Sequence, residues 1–203
     1  MQSDQDPLWR IVFEDRFGAI DLPWYAVLGN HDHLGVAAAQ VSSCTALGCP
    51  DLPANWNMPA FNYSLVRQAG PGSTLQLVFI DTWQLANEYS QALLRPAGAS
   101  LRDEPRQSGQ ALVKAEQHRW IEETLRRSKA DWLVVVGHYP VFSGGEHGET
   151  PELQSFLRPL LEKYQVDMYL CGHGACRLLP ASSLMLGRCR VLVLRRRVGR
   201  AHG

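Results

Sequence analysis

Apolar residues at helical spacing predict three helices. The first begins after Asp6-Pro7, because aspartate caps helices and proline suits their first turn. The apolar residues at helical spacing that follow are expected on its buried face: Trp9, Val12, Phe13 and Phe17. A long helix is predicted over residues 108–129, and a further helix begins at Thr150-Pro151.

Short unbroken apolar runs predict strands between these helices. The runs cover residues 23–29, 61–66, 75–81, 131–137 and 166–172. A turn is predicted over residues 67–73, and loops rich in glycine and proline are predicted over residues 42–59 and 95–106. Strands that alternate with helices indicate an α/β fold.

Length and composition limit the class of protein. The chain has 203 residues, of which 45% are hydrophobic, and this suits one globular domain with a sizeable core. Lysines with arginines number 20 and balance 20 acidic residues, so no overall basic field favours nucleic acid. No apolar stretch approaches the ~20 residues of a membrane span, and the polar N-terminus has no signal-peptide pattern.

The five cysteines are an odd number, so a closed disulfide framework would leave one thiol over. Cys44 and Cys49 flank a loop that contains glycine and proline, and they could pair in an oxidising compartment. Asn62 begins a glycosylation sequon, which is used only in a secreted protein.

The last part of the chain differs in charge from the rest. No acidic residue follows Asp167, whereas arginines crowd this segment. Either the tail binds an anionic surface, or its residues are foreign to the fold, as in a splice variant or a frame-shifted gene. Residues 174–203 lack helical or strand periodicity over most of their length, and this favours the second interpretation.

Three of the predicted strands end on a glycine that is followed directly by a potential metal ligand. These ligands are Asn30 with its neighbour His31, then His138, and then His173. Sites in α/β sheets form outside the carboxyl ends of strands, and histidine nitrogens with an asparagine oxygen suit a divalent transition metal. A single Gly-His pair is usually an ordinary strand end, but three such ends together favour a metal site. The remaining histidines are assigned to a loop, a helix surface and the tail: His33, His118 and His202.

Longer blocks accompany these strand ends. The motifs GNHD, GHYP and CGH occur in this order, together with NWNMPAFNYSL and VVVGHYPVFSGGEHG. The blocks resemble the calcineurin-like metallophosphoesterases and, more narrowly, the small, tartrate-resistant type of purple acid phosphatase. The resemblance covers about residues 5–173, and it implies a metallophosphoesterase-type α/β sandwich of two mixed sheets flanked by helices.

The resemblance also implies a binuclear centre, with ferric iron beside divalent iron, zinc or manganese, that hydrolyses phosphomonoesters. By position, Asn30, His138 and His173 match ligands of the divalent metal. His31 matches a histidine that contacts the phosphate and assists the leaving oxygen. His147 matches a second histidine on the substrate side, and no residue is assigned to an organic cofactor.

The chain departs from the family pattern at both ends. The Asp-x-Gly and Gly-Asp-Asn-Phe-Tyr stretches, which supply the ferric ligands and the bridging aspartate, are absent. The family block Gly-His-x-His becomes GHGA, so Ala175 stands in place of the second histidine. We therefore expect at most the divalent half-site, with Cys176 as a less favoured substitute ligand. The expected domain is incomplete over residues 1–173, followed by a divergent arginine-rich tail over 174–203, and it is expected to fold poorly alone.

The sequence thus predicts a metal-dependent acid phosphatase chain whose activity is impaired or absent. The alternatives are an inert remnant that binds a metal or a partner, and another metallophosphoesterase such as a phosphodiesterase. The expected substrate is a phosphomonoester, with no nucleic acid and no membrane span, and the oligomeric state is left open. Members of the resembled family are secreted or lysosomal, whereas the compartment of this chain is not assigned.

Overall fold

The computed structural model describes most of the chain. The residues described are 1, 3, 5–41, 52–86, 105–143, 147–173, 183–186 and 189–193. For residues 105–113 and for the last two segments only the backbone is described. Several predicted features lie outside these residues: Cys44, Cys49, residues 95–104 of the loop predicted over 95–106, Ala175, Cys176 and His202. The last two residues of that predicted loop are instead helical, because the long helix begins at Pro105.

The strands form two sheets. They are β1 (Trp24–Tyr25), β2 (Trp56–Asn57), β3 (Tyr63–Gly70), β4 (Ser73–Phe79), β5 (Trp132–Val136), β6 (Met168–Cys171), β7 (Ser183–Leu186) and β8 (Cys189–Val193). The larger sheet has six strands in the order β3-β4-β5-β6-β8-β7, and the smaller sheet pairs β1 with β2 in parallel. With the helices that pack on them, these sheets confirm the expected mixed α/β fold.

Within the part of the chain that the structure describes, the helices are short apart from one. A π-helical segment, Trp9–Glu14, continues into α1 (Asp15–Phe17), and the remaining α-helices are α2 (Thr82–Ala86), α3 (Pro105–Arg127), α4 (Pro151–Ser155) and α5 (Leu157–Lys163). Two 3-10 turns cover Asp32–Leu34 and Ala37–Gln40. Among the described residues, no helix is both long and apolar enough to cross a membrane.

The three central strands of the larger sheet place their carboxyl ends at one edge. Strands β4, β5 and β6 are parallel, and their register pairs Phe79 with Val136 and Val136 with Leu170. The pairing continues past the strand ends, because the N–H of Gly137 donates to the Leu170 carbonyl at 2.9 Å. The segments that follow these three strands therefore meet at the same edge of the sheet.

Buried side chains form two clusters, one on each face of the larger sheet. Because successive side chains of a strand point to opposite faces, Val78 and Phe79 belong to different clusters. One cluster packs the sheet against α3, α4 and α5 and includes Val78, Ile121, Leu133, Leu157 and Tyr169. The other packs the sheet against the segments around β1 and β2 and includes Leu28, Met58, Tyr63 and Phe79.

Several predicted element boundaries differ from the structure. The strand predicted over residues 23–29 pairs only at Trp24–Tyr25, because its partner β2 is itself two residues long. Strands β3 and β4 extend into the predicted turn, since Gly72 adopts a φ of 69° and closes the hairpin in two residues. In the first helix Trp9 is buried, but Val12 is 50% exposed, so the predicted apolar face is buried only in part.

The C-terminal segment was expected to carry little strand character, and this expectation is wrong for part of it. Strand β8 pairs antiparallel with β6, and β7 pairs antiparallel with β8. A strand can form backbone hydrogen bonds to an open sheet edge without a strict alternation of apolar and polar side chains. The sequence of this segment therefore did not predict β7 and β8.

Candidate metal centre

His138 follows β5 at the shared edge of the sheet, and its backbone is fixed by a neighbouring strand end. The hydroxyl oxygen of Thr82, after β4, accepts hydrogen bonds from the N–H groups of His138 at 3.0 Å and Tyr139 at 2.8 Å. The Tyr139 carbonyl in turn accepts from the buried Tyr169 hydroxyl at 2.6 Å. These bonds orient the imidazole of His138 out of the sheet edge.

Asn30 lies in a tight loop that is closed by the side chain of Asp32. One carboxylate oxygen of Asp32 accepts from the N–H of Gly29 at 2.7 Å, and the other accepts from the Gln40 amide at 2.6 Å. The bonds hold the backbone of the GNHD motif, and Asn30 with the exposed His31 forms the turn between the bonded residues Gly29 and Asp32. Asp32 thus has a structural role in this motif, which was not predicted from the sequence.

His173 follows β6 and has an unusual backbone conformation. Its φ is 68°, in the left-handed region that favours glycine, and such a conformation costs roughly 1–3 kcal/mol in a side-chain-bearing residue. The adjacent N–H of Gly172 donates to the His138 carbonyl at 2.9 Å, and the Tyr139 ring contacts the His173 ring edge-on with centroids 4.4 Å apart. The surrounding contacts therefore hold His173 in a strained position beside His138.

The side chains of Asn30, His138 and His173 converge on one point. The Nε2 atom of His138 lies 2.9 Å from Oδ1 of Asn30 and 3.0 Å from Nδ1 of His173. Because Nε2 carries either one hydrogen or one lone pair, it satisfies only one of these contacts as an ordinary hydrogen bond. Ligands about 2.1 Å from one zinc ion lie roughly 3.0–3.4 Å apart, so both separations from His138 Nε2 are close to those of atoms that share one cation.

The protonation state of the His138 and His173 imidazoles suits a metal. Burial lowers the pKa of His138, against the opposing charges of Asp32 and Asp81. Burial and the repulsion of neighbouring histidines together lower the pKa of His173 to about 4. Both imidazoles are therefore neutral near pH 7 and keep the lone pair that a metal requires.

The other two histidines predicted for the site lie beside these three residues. The ring centroid of His147 is 4.7 Å from that of His173, and the His147 side chain is exposed to solvent. The charge of His31 acts on both His138 and His173, where it lowers the pKa of each. The structure thus brings all five predicted side chains to one edge of the sheet, with the two substrate-side candidates at the surface.

The donor set contains an amide rather than a third ionisable ligand. Within the described ranges, no group of three or more His, Cys, Asp and Glu side chains is placed to hold a metal ion. The cluster around His138 instead combines two imidazoles with the Asn30 oxygen. All three donors are neutral, so a divalent cation bound by them would keep its full charge.

Sequence reasoning missed the residues that support this site. His33 was assigned to a loop, but it is only 6% exposed, and its Nε2 atom lies 2.9 Å from the Asp81 carboxylate. Asp81 and Thr82 follow β4. The site was predicted from apolar runs that end on a glycine, and the run that forms β4 does not end on one. An aspartate directly after an apolar strand was the available signal, since such a carboxylate must find a buried partner.

Comparison with known proteins shows what the chain resembles. The sequence matches the calcineurin-like phosphoesterase family over residues 5–176. Tartrate-resistant acid phosphatase type 5 of Rattus norvegicus is 37% identical over 164 residues, which cover 80% of this chain and 45% of that protein. The Homo sapiens protein of the same name is 33% identical over 177 residues, covering 85% and 50% respectively.

A plant relative and a solved structure are also similar to this chain. Purple acid phosphatase 4 of Arabidopsis thaliana is 34% identical over 185 residues, which cover 87% of this chain and 48% of that protein. The solved structure described as GAP50, the anchor in the inner membrane complex of Plasmodium, superposes with a TM-score of 0.63 at 24% identity. It covers 86% of this chain and 52% of that one, and it supports the fold alone. The chain spans about half the length of the curated relatives that it matches.

Proposed function

Because this chain belongs to the calcineurin-like phosphoesterase family, we propose that it hydrolyses phosphomonoesters with the help of a divalent metal. The observation that carries the proposal is the convergence of Asn30, His138 and His173, with His138 Nε2 only 2.9 Å and 3.0 Å from its two neighbours. The curated relatives are acid phosphatases, which supports phosphate esters as the substrate class.

In this proposal the three converging side chains hold the metal. A divalent metal would neutralise negative charge on a phosphate and lower the pKa of a water molecule beside it. The oxygen of Asn30 and the neutral imidazoles of His138 and His173 leave the positive charge of such an ion uncompensated. An anionic phosphate is therefore attracted to this edge of the sheet more strongly than a neutral ester.

The two exposed histidines act on the substrate. His31 and His147 donate hydrogen bonds to phosphate oxygens, and in the protonated form either ring can give a proton to the leaving alcohol oxygen. His31 is the better candidate for the proton donor, because the hydrogen bonds that the Asp32 carboxylate accepts fix the backbone of its loop. His147 lies beside the ligand His173 and suits a phosphate contact.

We further propose that the site holds one metal and has low activity. The three ligands are neutral, and Ala175 stands where the resembled family has a second histidine ligand. Typical zinc sites of catalytic enzymes have three histidines or include a carboxylate or thiolate, so binding by one amide and two imidazoles is expected to be weak. The same neutral donor set favours the second candidate function, a domain that binds a metal without hydrolysis.

The rate of p-nitrophenyl phosphate hydrolysis tests the proposal. The purified chain is assayed after chelator treatment, with Zn²⁺, Mn²⁺ or Fe²⁺ added back, beside His138→Ala and the control His118→Phe, at a histidine of α3. We expect metal-dependent turnover that His138→Ala abolishes and His118→Phe retains. Metal binding without turnover supports the inert domain, and turnover confined to bis(p-nitrophenyl) phosphate supports a phosphodiesterase. Turnover that persists in His138→Ala overturns all of these assignments.

A further inference from the structure

His33 is a buried histidine outside the proposed ligand set. It lies on the 3-10 turn Asp32–Leu34, directly after the loop that presents Asn30, and only 6% of its surface is exposed. Its ring stacks on that of Trp83, with centroids 4.0 Å apart and planes inclined by 7°. Its Nε2 atom lies 2.9 Å from Oδ2 of Asp81. The ring is thus held both by packing and by a charged partner.

Asp81 is fixed from several sides. Its carboxylate is fully buried, and Oδ1 accepts from the N–H groups of Trp83 at 3.1 Å and Gln84 at 3.2 Å at the start of α2. Its own N–H donates to Oε1 of Gln117 on α3 at 2.9 Å. A buried carboxylate held in this way is a rigid anchor for a group that pairs with it.

The residue after Asp81 connects the anchor to the second ligand. The Thr82 hydroxyl oxygen accepts from the N–H groups of His138 and Tyr139, at 3.0 Å and 2.8 Å. The side chain of Asp81 therefore contacts the Asn30 loop through His33, while Thr82 contacts the His138 loop. Asp81 and Thr82, which are adjacent after β4, therefore join the Asn30 loop to the His138 loop.

We infer that His33 and Asp81 form a positioning pair that holds the Asn30 loop against the His138 loop. The pair sets the separation of 2.9 Å between Asn30 Oδ1 and His138 Nε2. His33 contacts neither the substrate nor the metal in this account, and it acts through the position of Asn30 three residues earlier. Only the consequence for metal affinity rests on the proposed function, because the separation of the two loops exists without a metal.

Three variants separate positioning from packing. His33→Phe keeps a ring to stack on Trp83 but removes the nitrogen that faces Asp81. His33→Gln retains an amide N–H that can reach the carboxylate and is the expected rescue. His118→Phe is the matched control, because His118 also stacks on an aromatic ring, Phe156, at a centroid distance of 3.5 Å but belongs to α3 rather than to these loops.

Two readouts are measured on the full chain. The first is the nuclear Overhauser contact between the Asn30 side-chain amide and the His138 ring in metal-free protein, and the second is Co²⁺ affinity from visible absorption. We expect His33→Phe to lose the contact and to bind Co²⁺ about tenfold more weakly, as for other partners of metal ligands. His33→Gln and His118→Phe are expected to keep both the contact and the affinity.

Each outcome decides the inference. A folded His33→Phe with the contact intact overturns it, as does wild-type protein that lacks the contact or a His33→Gln variant as impaired as His33→Phe. If His33→Phe does not melt cooperatively, Asp81→Asn takes its place, because asparagine keeps the shape of the aspartate side chain. We expect Asp81→Asn to lose the contact between Asn30 and His138, and an Asp81→Asn variant that keeps this contact overturns the inference. Wild-type protein that shows the contact but no phosphatase activity contradicts the proposed function and leaves the positioning pair standing.

Discussion

Asn30 and His138 are separated by 108 positions in the sequence, yet Oδ1 of one lies 2.9 Å from Nε2 of the other. The loop closure by Asp32 fixes the first residue, and the Thr82 hydroxyl fixes the backbone of the second. The contact therefore depends on two loops that are far apart in the sequence, and changes in either loop should alter metal binding without altering Asn30 or His138 themselves.

Gly29→Ala is expected to weaken metal binding while the fold is retained. A methyl group at this position would lie 3.0 Å from Cε1 and 3.1 Å from Nδ1 of His138, so the ring must shift by a few tenths of an ångström. We expect Co²⁺ affinity to fall about tenfold, as for other disturbances beside metal ligands. Gly70→Ala is the control, because nothing lies within 4 Å of the added carbon there. Equal affinities of the two variants would contradict the close approach.

Gly137→Ala is expected to destabilise the whole fold. The added carbon would lie 2.5 Å from both Cγ2 of Thr82 and the hydroxyl of Tyr169, which are buried and cannot both move aside. Overpacking of this kind costs about 1–3 kcal/mol of the free energy of unfolding. Urea denaturation followed by tryptophan fluorescence measures this cost. An unchanged midpoint would show that the strand end after β5 is less tightly packed than described.

The pH dependence of stability should have a contribution from His118. Burial and the nearby Lys114 lower the pKa of His118 from its ordinary value of 6.5. As the pH falls below that value, the unfolded chain takes up the proton first, so folded protein loses stability. Between about pH 7.5 and about pH 5.5, we expect the free energy of unfolding to fall less in His118→Phe than in wild type. Equal falls would mean that His118 titrates normally in the folded state.

The sequence was sufficient to predict the strand ends that carry the site. Strands β5 and β6 are parallel neighbours, so two apolar runs that are each followed by Gly-His predicted that His138 and His173 would meet. Asn30 follows the run over residues 23–29, which pairs only at Trp24–Tyr25 in the smaller sheet, so its approach to His138 depends on how that segment packs on the larger sheet. His147 was placed only through the resemblance to a family, as was the substrate-side role of His31, since a loop histidine has no periodicity of its own.

The supporting residues could not be predicted in the same way. The approach of His33 to Asp81 depends on how the turn Asp32–Leu34 packs on α2, and no local pattern in the sequence records that packing. The positive φ of His173 is likewise invisible in the sequence, because glycine and asparagine are the residues that usually mark it. The pairing of β8 with β6 required the three-dimensional position of an open sheet edge.

The central claim is that Asn30, His138 and His173 bind one divalent metal ion. Isothermal titration calorimetry of Zn²⁺ into chelator-treated protein tests it most directly, with Asn30→Ala, His138→Ala and His173→Ala beside the control His118→Phe. We predict one saturable site per chain in wild type and in the control, and weakened or absent binding in each of the three ligand variants. Absence of saturable binding in wild type, or a site that survives unchanged in all three variants, would contradict the account.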